Sequence, residues 1–309
     1  MSTIAITGVA GFIGSNLADR LLSMGHTVIG VDNLAYGVRS QIPEGVEFRE
    51  MDIRSCDLKG AFQGANAVFH LAAKNCIADC QNDPVETADI NVTGTVNVFE
   101  ASRQAGIKRI IYAESSAMYE GSETLPSVES DVAPQSFYAV SKAGGAGFAD
   151  AYARFHQMEM TALRYFGVYG PRQDYRRTIP PVMSAFIIKL LRGEQPTIYG
   201  NGKKGRDFIY VDDINDFHVL CLHDRRTVGG VFNLGYGRPY SINEIYEKIA
   251  TLLGSSLRPI YQADLEAEAQ VTHADISKAK ELGWSPQVSL DEGLQRSIDF
   301  IKAHVEITA

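Results

Sequence analysis

The chain has 309 residues, enough for one large or two modest hydrophobic cores. Its formal net charge of −8 argues against a basic nucleic-acid-binding surface, and no apolar run reaches the length of about 18 residues that a membrane span needs. The N-terminus enters a predicted strand at once, so we expect no signal peptide and a cytoplasmic protein.

A run of three glycines follows the first predicted strand, Thr3–Thr7. Gly8, Gly11 and Gly14 precede a helical pattern over residues 12–24. In a strand–turn–helix unit, such glycines let the backbone approach a pyrophosphate, which then lies at the helix N-terminus. A second buried strand, residues 27–31, leads to Asp32, whose carboxylate suits ribose hydroxyls and repels a 2′-phosphate. The pattern therefore favours NAD over NADP.

Strand and helix patterns continue to alternate through residue 166. We predict strands at residues 46–53, 67–73, 109–113 and 161–166, and helices at residues 84–105 and 136–156. Repeated units of this length predict an α/β fold, a Rossmann-type doubly wound parallel sheet with all strand carboxyl ends along one edge.

The cysteines and histidines give little sign of a metal site. Cys76 and Cys80 are spaced C-x3-C, which could indicate metal or redox chemistry, but no second pair with zinc-like spacing accompanies them. The seven histidines are scattered. We therefore expect reduced thiols and no metal.

After about Gly170 the composition changes, with prolines around predicted helix Val182–Leu191 and amphipathic helices at Ile242–Leu253 and 290–303. We interpret this part as a smaller substrate-binding lobe that closes over the sheet edge. The predicted Rossmann domain covers residues 1–175 and about 207–238. The predicted lobe covers residues 176–206 and 239–309.

Tyr138 and Lys142 form a Y-x3-K pair on a predicted helix, where residues four apart share a face. The Lys142 ammonium can favour ionisation of the Tyr138 phenol, whose ordinary pKa is about 10. The phenolate could then take a proton from a sugar hydroxyl while the same carbon loses hydride. The alternative is an unremarkable surface pair.

With the glycine run, this pair resembles the extended short-chain dehydrogenase/reductases, specifically the sugar-nucleotide epimerase/dehydratase family. The resemblance spans almost the whole chain. It includes Asp32-Asn33, Asp52-Ile53, residues 70–73 and 91–94, Tyr138-x3-Lys142, and residues 164–172, 200–202, 206–213 and 274–279. It implies a retained NAD and a sugar nucleotide at the carboxyl edge of the sheet, with the nucleotide held by the lobe.

The resemblance also implies site residues. The cofactor set is Gly8, Gly11, Phe12, Ile13, Gly14, Asp32, Asn33, Asp52, Ile53, Leu71, Ala72, Ala73, Lys74, Tyr138, Lys142 and Tyr165. Within it, Asp52 and Ile53 would lie near adenine and Tyr165 against nicotinamide. Lys74 could contact a phosphate or ribose, or be an exposed lysine.

The implied substrate set is Ser115, Ser116, Gly167, Pro180, Val182, Tyr199 and Arg206. Ser115 would hydrogen-bond the reacting C4 oxygen, the alternative being a helix cap or loop hydroxyl. Backbone near Pro180 and Val182 would contact the uracil or thymine ring. Arg206 would pair with the diphosphate, the alternative being a solvated surface charge.

Several positions depart from the family pattern. Ser116 and Ala117 stand where the 4,6-dehydratases place Asp-Glu, which disfavours an ordinary 4,6-dehydratase. Glu120 replaces a usual glycine and could act as a base at C5, or face solvent. Gly167 replaces a frequent Asn and removes an amide donor, which leaves the sugar's identity open.

Three functions follow. The leading hypothesis is an NAD-retaining 4-epimerase of a UDP-hexose or UDP-N-acetylhexosamine. The second resembles the UDP-GlcNAc 5,6-dehydratases of tunicamycin-type nucleoside antibiotic pathways, with Glu120 as acid/base and Ser115, Tyr138 or Cys80 as proton donor. The third is a non-catalytic NAD-binding regulator. We expect a homodimer formed through the helices at 84–105 and 136–156, and neither nucleic acid nor membrane as a partner.

Overall fold

The computed structural model of the protein describes residues 1–175, 180–264 and 269–305. The chain divides into two compact units. The first contains residues 1–123, 129–165 and 215–233, and the second contains the described parts of 124–128, 166–214 and 234–309. Residues 176–179, 265–268 and 306–309 of the predicted lobe lie outside the described residues.

Up to residue 165, each predicted strand and helix has a counterpart, and the short helices at Leu58–Ala61 and Ile77–Asn82 are additional. The strands are β1 (Thr3–Thr7), β2 (Thr27–Asp32), β3 (Glu47–Glu50), β4 (Ala67–His70), β5 (Arg109–Ser115) and β6 (Glu159–Tyr165). The helices are α1 (Phe12–Ser23), α2 (Leu58–Ala61), α3 (Ile77–Asn82), α4 (Pro84–Ala88), α5 (Thr95–Gln104) and α6 (Phe137–His156).

Shorter elements follow along the rest of the chain. They are β7 (Val168–Tyr169), α7 (Val182–Leu191), β8 (Thr197–Tyr199), β9 (Gly205–Asp207), β10 (Ile209–Tyr210), α8 (Val211–His223), β11 (Val231–Leu234), β12 (Pro239–Ser241), α9 (Ile242–Leu253), β13 (Ile260–Gln262), α10 (Ser277–Lys280) and α11 (Leu290–His304).

A seven-stranded sheet in the order β11-β6-β5-β4-β1-β2-β3 organises the first unit. The successive pairings from β3 to β6 are all parallel. All four residues of β4 are buried, as expected for a strand covered on both faces. Strand order reverses between β1 and β4, the point where such sheets bind ligands. The predicted Rossmann-type fold is confirmed.

The predicted single helix over residues 84–105 is interrupted. A π-helical segment, Asp89–Gly94, separates α4 from α5. Its buried Asn91 exchanges hydrogen bonds with the Lys74 backbone, donating to the carbonyl at 2.9 Å and accepting from the N–H at 2.8 Å. Such long-range bonds have no counterpart in the helical periodicity, so the pattern does not predict the interruption.

The second unit has three two-stranded sheets, pairing β7 with β10, β9 with β12 and β8 with β13. Helix α9 starts with a capping box, in which the Ser241 and Glu244 side chains each accept a hydrogen bond from the other residue's backbone N–H. Phe186 of α7 packs edge-on against Tyr246 of α9. Among the described residues, no helix is long and apolar enough to cross a membrane.

Asp207 is a buried carboxylate that organises the loops of the second unit. It accepts backbone hydrogen bonds from Tyr236 at 2.7 Å, Ala274 at 3.0 Å and Gly237 at 3.1 Å. Burial raises the pKa of Asp207 to about 6, although these three donors favour the ionised form.

We expect Asp207→Asn to reduce the free energy of unfolding by about 1–3 kcal/mol, because an amide nitrogen cannot accept the backbone N–H donors. Urea unfolding followed by circular dichroism would measure the loss. Asp212→Asn is the matched control, since this half-exposed carboxylate forms an ion pair with Arg296 at the surface. Equal losses in both variants would contradict the assignment.

Candidate active site

The glycine turn after β1 leaves no room for side chains. A Cβ at Gly8 would lie 2.8 Å from the Ala72 nitrogen, and one at Gly14 would lie 2.1 Å from the Gly8 oxygen. Gly8 also has a positive φ of 76°. Phe12 and Ile13 form the first turn of α1, and the first N–H groups of a helix lack partners within it. The turn fits a dinucleotide pyrophosphate.

Asp32 ends β2 and is buried. Its two carboxylate oxygens accept backbone hydrogen bonds from Leu34 at 2.8 Å and Ala10 at 3.0 Å. Burial raises the pKa of Asp32, and these two donors oppose that shift. Since each carboxylate oxygen has a second lone pair, Asp32 can still accept hydroxyl groups of a ribose.

The predicted adenine-side residues share a polar network. The Asn33 amide donates to Asp52 at 2.8 Å, and Arg54 pairs with the same carboxylate at 2.7 Å. Hydrogen bonds from Arg54 hold the pKa of Asp52 well below its usual range. Ile53 is buried, and its carbonyl accepts from Asn97. This arrangement places polar and apolar surface side by side.

The segment after β4 contains Leu71, Ala72 and Ala73, all half-buried, and then Lys74. Lys74 is 4% exposed and pairs with Glu86 at 2.5 Å, so the expectation of an exposed lysine is wrong. Its contact with cofactor stays a prediction.

Tyr138 and Lys142 lie near the start of α6 and are 8% and 9% exposed, so the surface-pair alternative is wrong. The Lys142 ammonium donates to the Ala113 carbonyl at 3.0 Å, which ties α6 to β5. Burial lowers the pKa of Lys142 to about 8, while the Glu114 carboxylate opposes that shift. Cys80 belongs to the same small buried cluster as Tyr138.

Ser115 is the last residue of β5, two residues beyond Ala113. Its hydroxyl oxygen accepts a hydrogen bond from the Ala117 N–H at 3.2 Å and caps a 3₁₀ turn that begins at Ser116. Ser115 therefore does form the cap that was the alternative to a substrate contact. That bond uses an oxygen lone pair, and the hydroxyl hydrogen can still donate to a substrate oxygen. Parallel pairing places Ser115 opposite Tyr165.

Glu120 stands at the other end of this turn. Its carboxylate accepts from the Ser136 N–H at 2.7 Å and from the Ser136 hydroxyl at 3.0 Å. Glu120 is half-buried, and these bonds place its carboxylate at the N-terminus of the helix that contains Tyr138. A catalytic role for Glu120 stays a prediction.

Tyr165 ends β6, and its hydroxyl shares a 2.7 Å hydrogen bond with the buried His218. Burial raises the pKa of Tyr165 well above its usual range and lowers the pKa of His218 to about 3. Both rings are thus neutral at physiological pH, and the hydrogen bond fixes the orientation of Tyr165.

The other predicted substrate residues belong to the second unit. Gly167 has a φ of 30°, and a Cβ there would lie 2.4 Å from the Asp207 oxygen, so the family's Asn does not fit. Arg206 is half-buried and donates to the Gly205 carbonyl at 2.9 Å. Pro180 is half-buried, Val182 begins α7, and Tyr199 is 41% exposed.

Sequence analysis missed two features beside these groups. Asn91 also donates to Ser141 on α6 at 3.0 Å, which links the segment after β4 to the helix of Tyr138. Glu114 and Arg164 form a buried ion pair on adjacent strands, Nε to Oε2 at 2.6 Å. A signal was available for Arg164, since a charged residue inside the predicted strand at 161–166 indicates a partner, whereas Glu114 follows directly after the predicted strand at 109–113. Within the described residues, no cluster of three or more possible ligands could hold a metal ion.

Comparisons with known proteins agree with this geometry. The NAD dependent epimerase/dehydratase family matches residues 4–235. The chain is 36% identical over 328 residues to a UDP-glucuronate 4-epimerase of Thermodesulfobacterium geofontis, covering 99% of this chain and 98% of that protein.

Solved structures are similar over nearly the full length. A UDP-glucose 4-epimerase from Thermotoga maritima with UDP-glucose gives a TM-score of 0.95 at 32% identity, covering 98% of this chain and 100% of that one. A Thermus thermophilus UDP-glucose 4-epimerase in complex with NAD gives 0.91 at 31% identity, with the same coverage. Family match and site geometry together show that this chain belongs to the NAD-dependent epimerase/dehydratase family, as an enzyme whose cofactor is NAD.

Proposed function

We propose that the protein is an NAD-retaining 4-epimerase of a UDP-hexose or UDP-N-acetylhexosamine. The observation that supports this most is the grouping at the end of β5, where Lys142 bonds to the Ala113 carbonyl, two residues before Ser115. NAD, when bound, accepts a hydride from C4 of the sugar and returns it, so that none is consumed.

The proton-transfer roles follow from the chemistry of the side chains. Tyr138 takes the proton of the C4 hydroxyl as a phenolate, and the Lys142 ammonium stabilises that phenolate. Ser115 donates a hydrogen bond to the C4 oxygen and orients it. After the ketosugar turns over, return of the hydride to the other face of C4, with return of the proton from Tyr138 to the C4 oxygen, would invert that centre and give the epimer.

Two features support epimerisation rather than loss of water. Ser116 and Ala117 provide no carboxyl group where the 4,6-dehydratases have an acid and a base. The Glu120 carboxylate is engaged by the N–H and hydroxyl of Ser136. Epimerisation at C4 needs neither an acid for a leaving hydroxyl nor a base at C5.

For the substrate, the names of the similar proteins point to UDP-sugars. We assign the diphosphate to Arg206 and the base to the chain near Pro180, Val182 and Tyr199. Gly167 offers no side-chain amide, so the sugar must be selected by other groups.

We expect purified protein to contain NAD and to convert a UDP-hexose into a product of identical mass that differs at C4. Tyr138→Phe should reduce kcat about 10³-fold, because the base is lost. Tyr152→Phe, on the same helix, is the matched control and should retain activity.

Activity should fall as pH rises past about 8, because Lys142 then loses its proton. NMR of the product would show the configuration at C4. Rates measured at a series of pH values with UDP-glucose, UDP-glucuronate and UDP-GlcNAc would test the activity and its pH dependence.

Glu120→Gln should retain turnover, because the amide oxygen can still accept the Ser136 N–H. It should cost about 1 kcal/mol of stability through loss of charge at the α6 N-terminus. Ser136→Ala is the control for the same cap. Two results together would instead support the dehydratase. Activity would fall about 10²-fold or more in Glu120→Gln but not in Ser136→Ala, and the product of the wild-type enzyme would be lighter than the substrate by one water molecule.

We also propose a homodimer through α6. Phe137, Val140, Phe148 and Phe155 are 44–74% exposed and follow one another along this helix, an apolar surface that a second copy could cover. Phe148→Glu should produce monomers in analytical ultracentrifugation, and Leu252→Glu on α9 should leave the association state unchanged. A monomeric wild-type protein would contradict the proposal.

A further inference from the structure

The buried ion pair between Glu114 and Arg164 lies one residue from each of two site positions, Ser115 and Tyr165. The two side chains are 1% and 5% exposed. Burying two charges costs several kcal/mol per ion before their attraction is counted, and apolar residues of similar size are often no less stable. Strand pairing alone therefore does not account for charges at these positions.

The pair is part of a connected polar network. Tyr112 donates to the second oxygen of Glu114 at 3.1 Å. Arg164 donates to the Tyr119 hydroxyl at 2.9 Å and to the Glu129 carbonyl at 2.6 Å. Tyr119 in turn donates to Asn233 at 2.5 Å. A connected buried network restricts its members to one arrangement.

This network is anchored at both ends of the segment that contains Ser115. Glu114 precedes the serine on β5, and Tyr119 closes the 3₁₀ turn that the serine caps. Fixing both ends of the segment restricts the direction of the Ser115 hydroxyl. That direction matters because, in the proposed function, this hydroxyl donates a hydrogen bond to the reacting C4 oxygen.

The same carboxylate also acts on the buried lysine. Lys142 bonds to the carbonyl of Ala113, the residue just before Glu114. Burial lowers the pKa of Lys142, and the negative charge of Glu114 counteracts this. Cys80 has the same sign of influence but acts only as a thiolate, and burial raises the pKa of that thiol.

We propose that the Glu114–Arg164 pair is a positioning element of the active site, which anchors Ser115 and supplies the negative charge that keeps Lys142 an ammonium. The inference rests on the roles proposed above for Ser115, Tyr138 and Lys142. Arg164 then has two tasks, since it neutralises the buried carboxylate and holds the turn through Tyr119.

The test is the pH profile of kcat in Glu114→Gln. Loss of a negative charge makes Lys142 release its proton more easily, so the alkaline limb should move down by about one pH unit. At the optimum, kcat should fall about tenfold from misplacement of Ser115, with KM changed less than kcat. Bound NAD, measured after denaturation, should stay at the wild-type ratio.

Two controls keep the result interpretable. Glu100→Gln on α5 also removes a carboxylate bonded to an arginine and a tyrosine, Arg103 and Tyr152, and should leave the pH profile unchanged. If Glu114→Gln does not fold with Arg164 unpaired, the neutral pair Glu114→Gln/Arg164→Met should fold and shift the alkaline limb in the same direction by a smaller amount, because the opposing charge of Arg164 is removed as well.

An alkaline limb at the wild-type pH in both Glu114 variants would overturn the inference. Failure of the proposed function gives a different result, because Lys142→Met and Tyr138→Phe would then retain turnover. A uniform loss of kcat across all pH values, with no shift, would show that the pair has only a structural role.

Discussion

One hydrogen bond, from the Lys142 ammonium to the Ala113 carbonyl, ties helix α6 to the carboxyl end of β5. Strand direction decides what else is present there. Because β1, β4, β5 and β6 are parallel, the glycine turn, the segment after β4, Ser115 and Tyr165 all follow the same ends of their strands. The lysine bond adds the helix of Tyr138 to this edge, so the arrangement of the proposed chemistry depends on it.

Buried titratable side chains at this edge of the sheet are stabilised in three ways, as partners in ion pairs, as neutral groups or by backbone hydrogen bonds. Lys74 and Arg164 each have a carboxylate partner. His70 and His218 are instead kept neutral, since burial lowers the pKa of each to about 3. His70 shares hydrogen bonds with Thr7 at 2.7 Å and Thr95 at 2.9 Å, which join β1, β4 and α5 without adding a charge. Lys142 and Asp32 follow a third pattern, in which backbone groups solvate the buried charge.

Periodicity and glycine spacing predict most of the fold, because buried strands and amphipathic helices leave local patterns. The strand Thr3–Thr7 and the helices α7 and α9 have the predicted bounds. Local pattern does not predict the π segment, the pairing of Lys74 with Glu86 or the cap formed by Glu120. Each depends on a partner 12 or more residues away, and the choice of partner is made by the packed structure.

The departures from the family pattern share a physical explanation. At Gly167 the Asp207 backbone approaches too closely for any side chain, and Glu120 binds the first backbone N–H groups ahead of α6. Both residues therefore have structural tasks that neighbouring residues impose. An altered residue near a reacting centre is thus weak support for altered chemistry until its contacts are known. Under the proposed function, those contacts leave the proton transfer to Tyr138, assisted by Lys142 and Ser115, and the surroundings of these residues, including Glu114, set the pH range of the reaction.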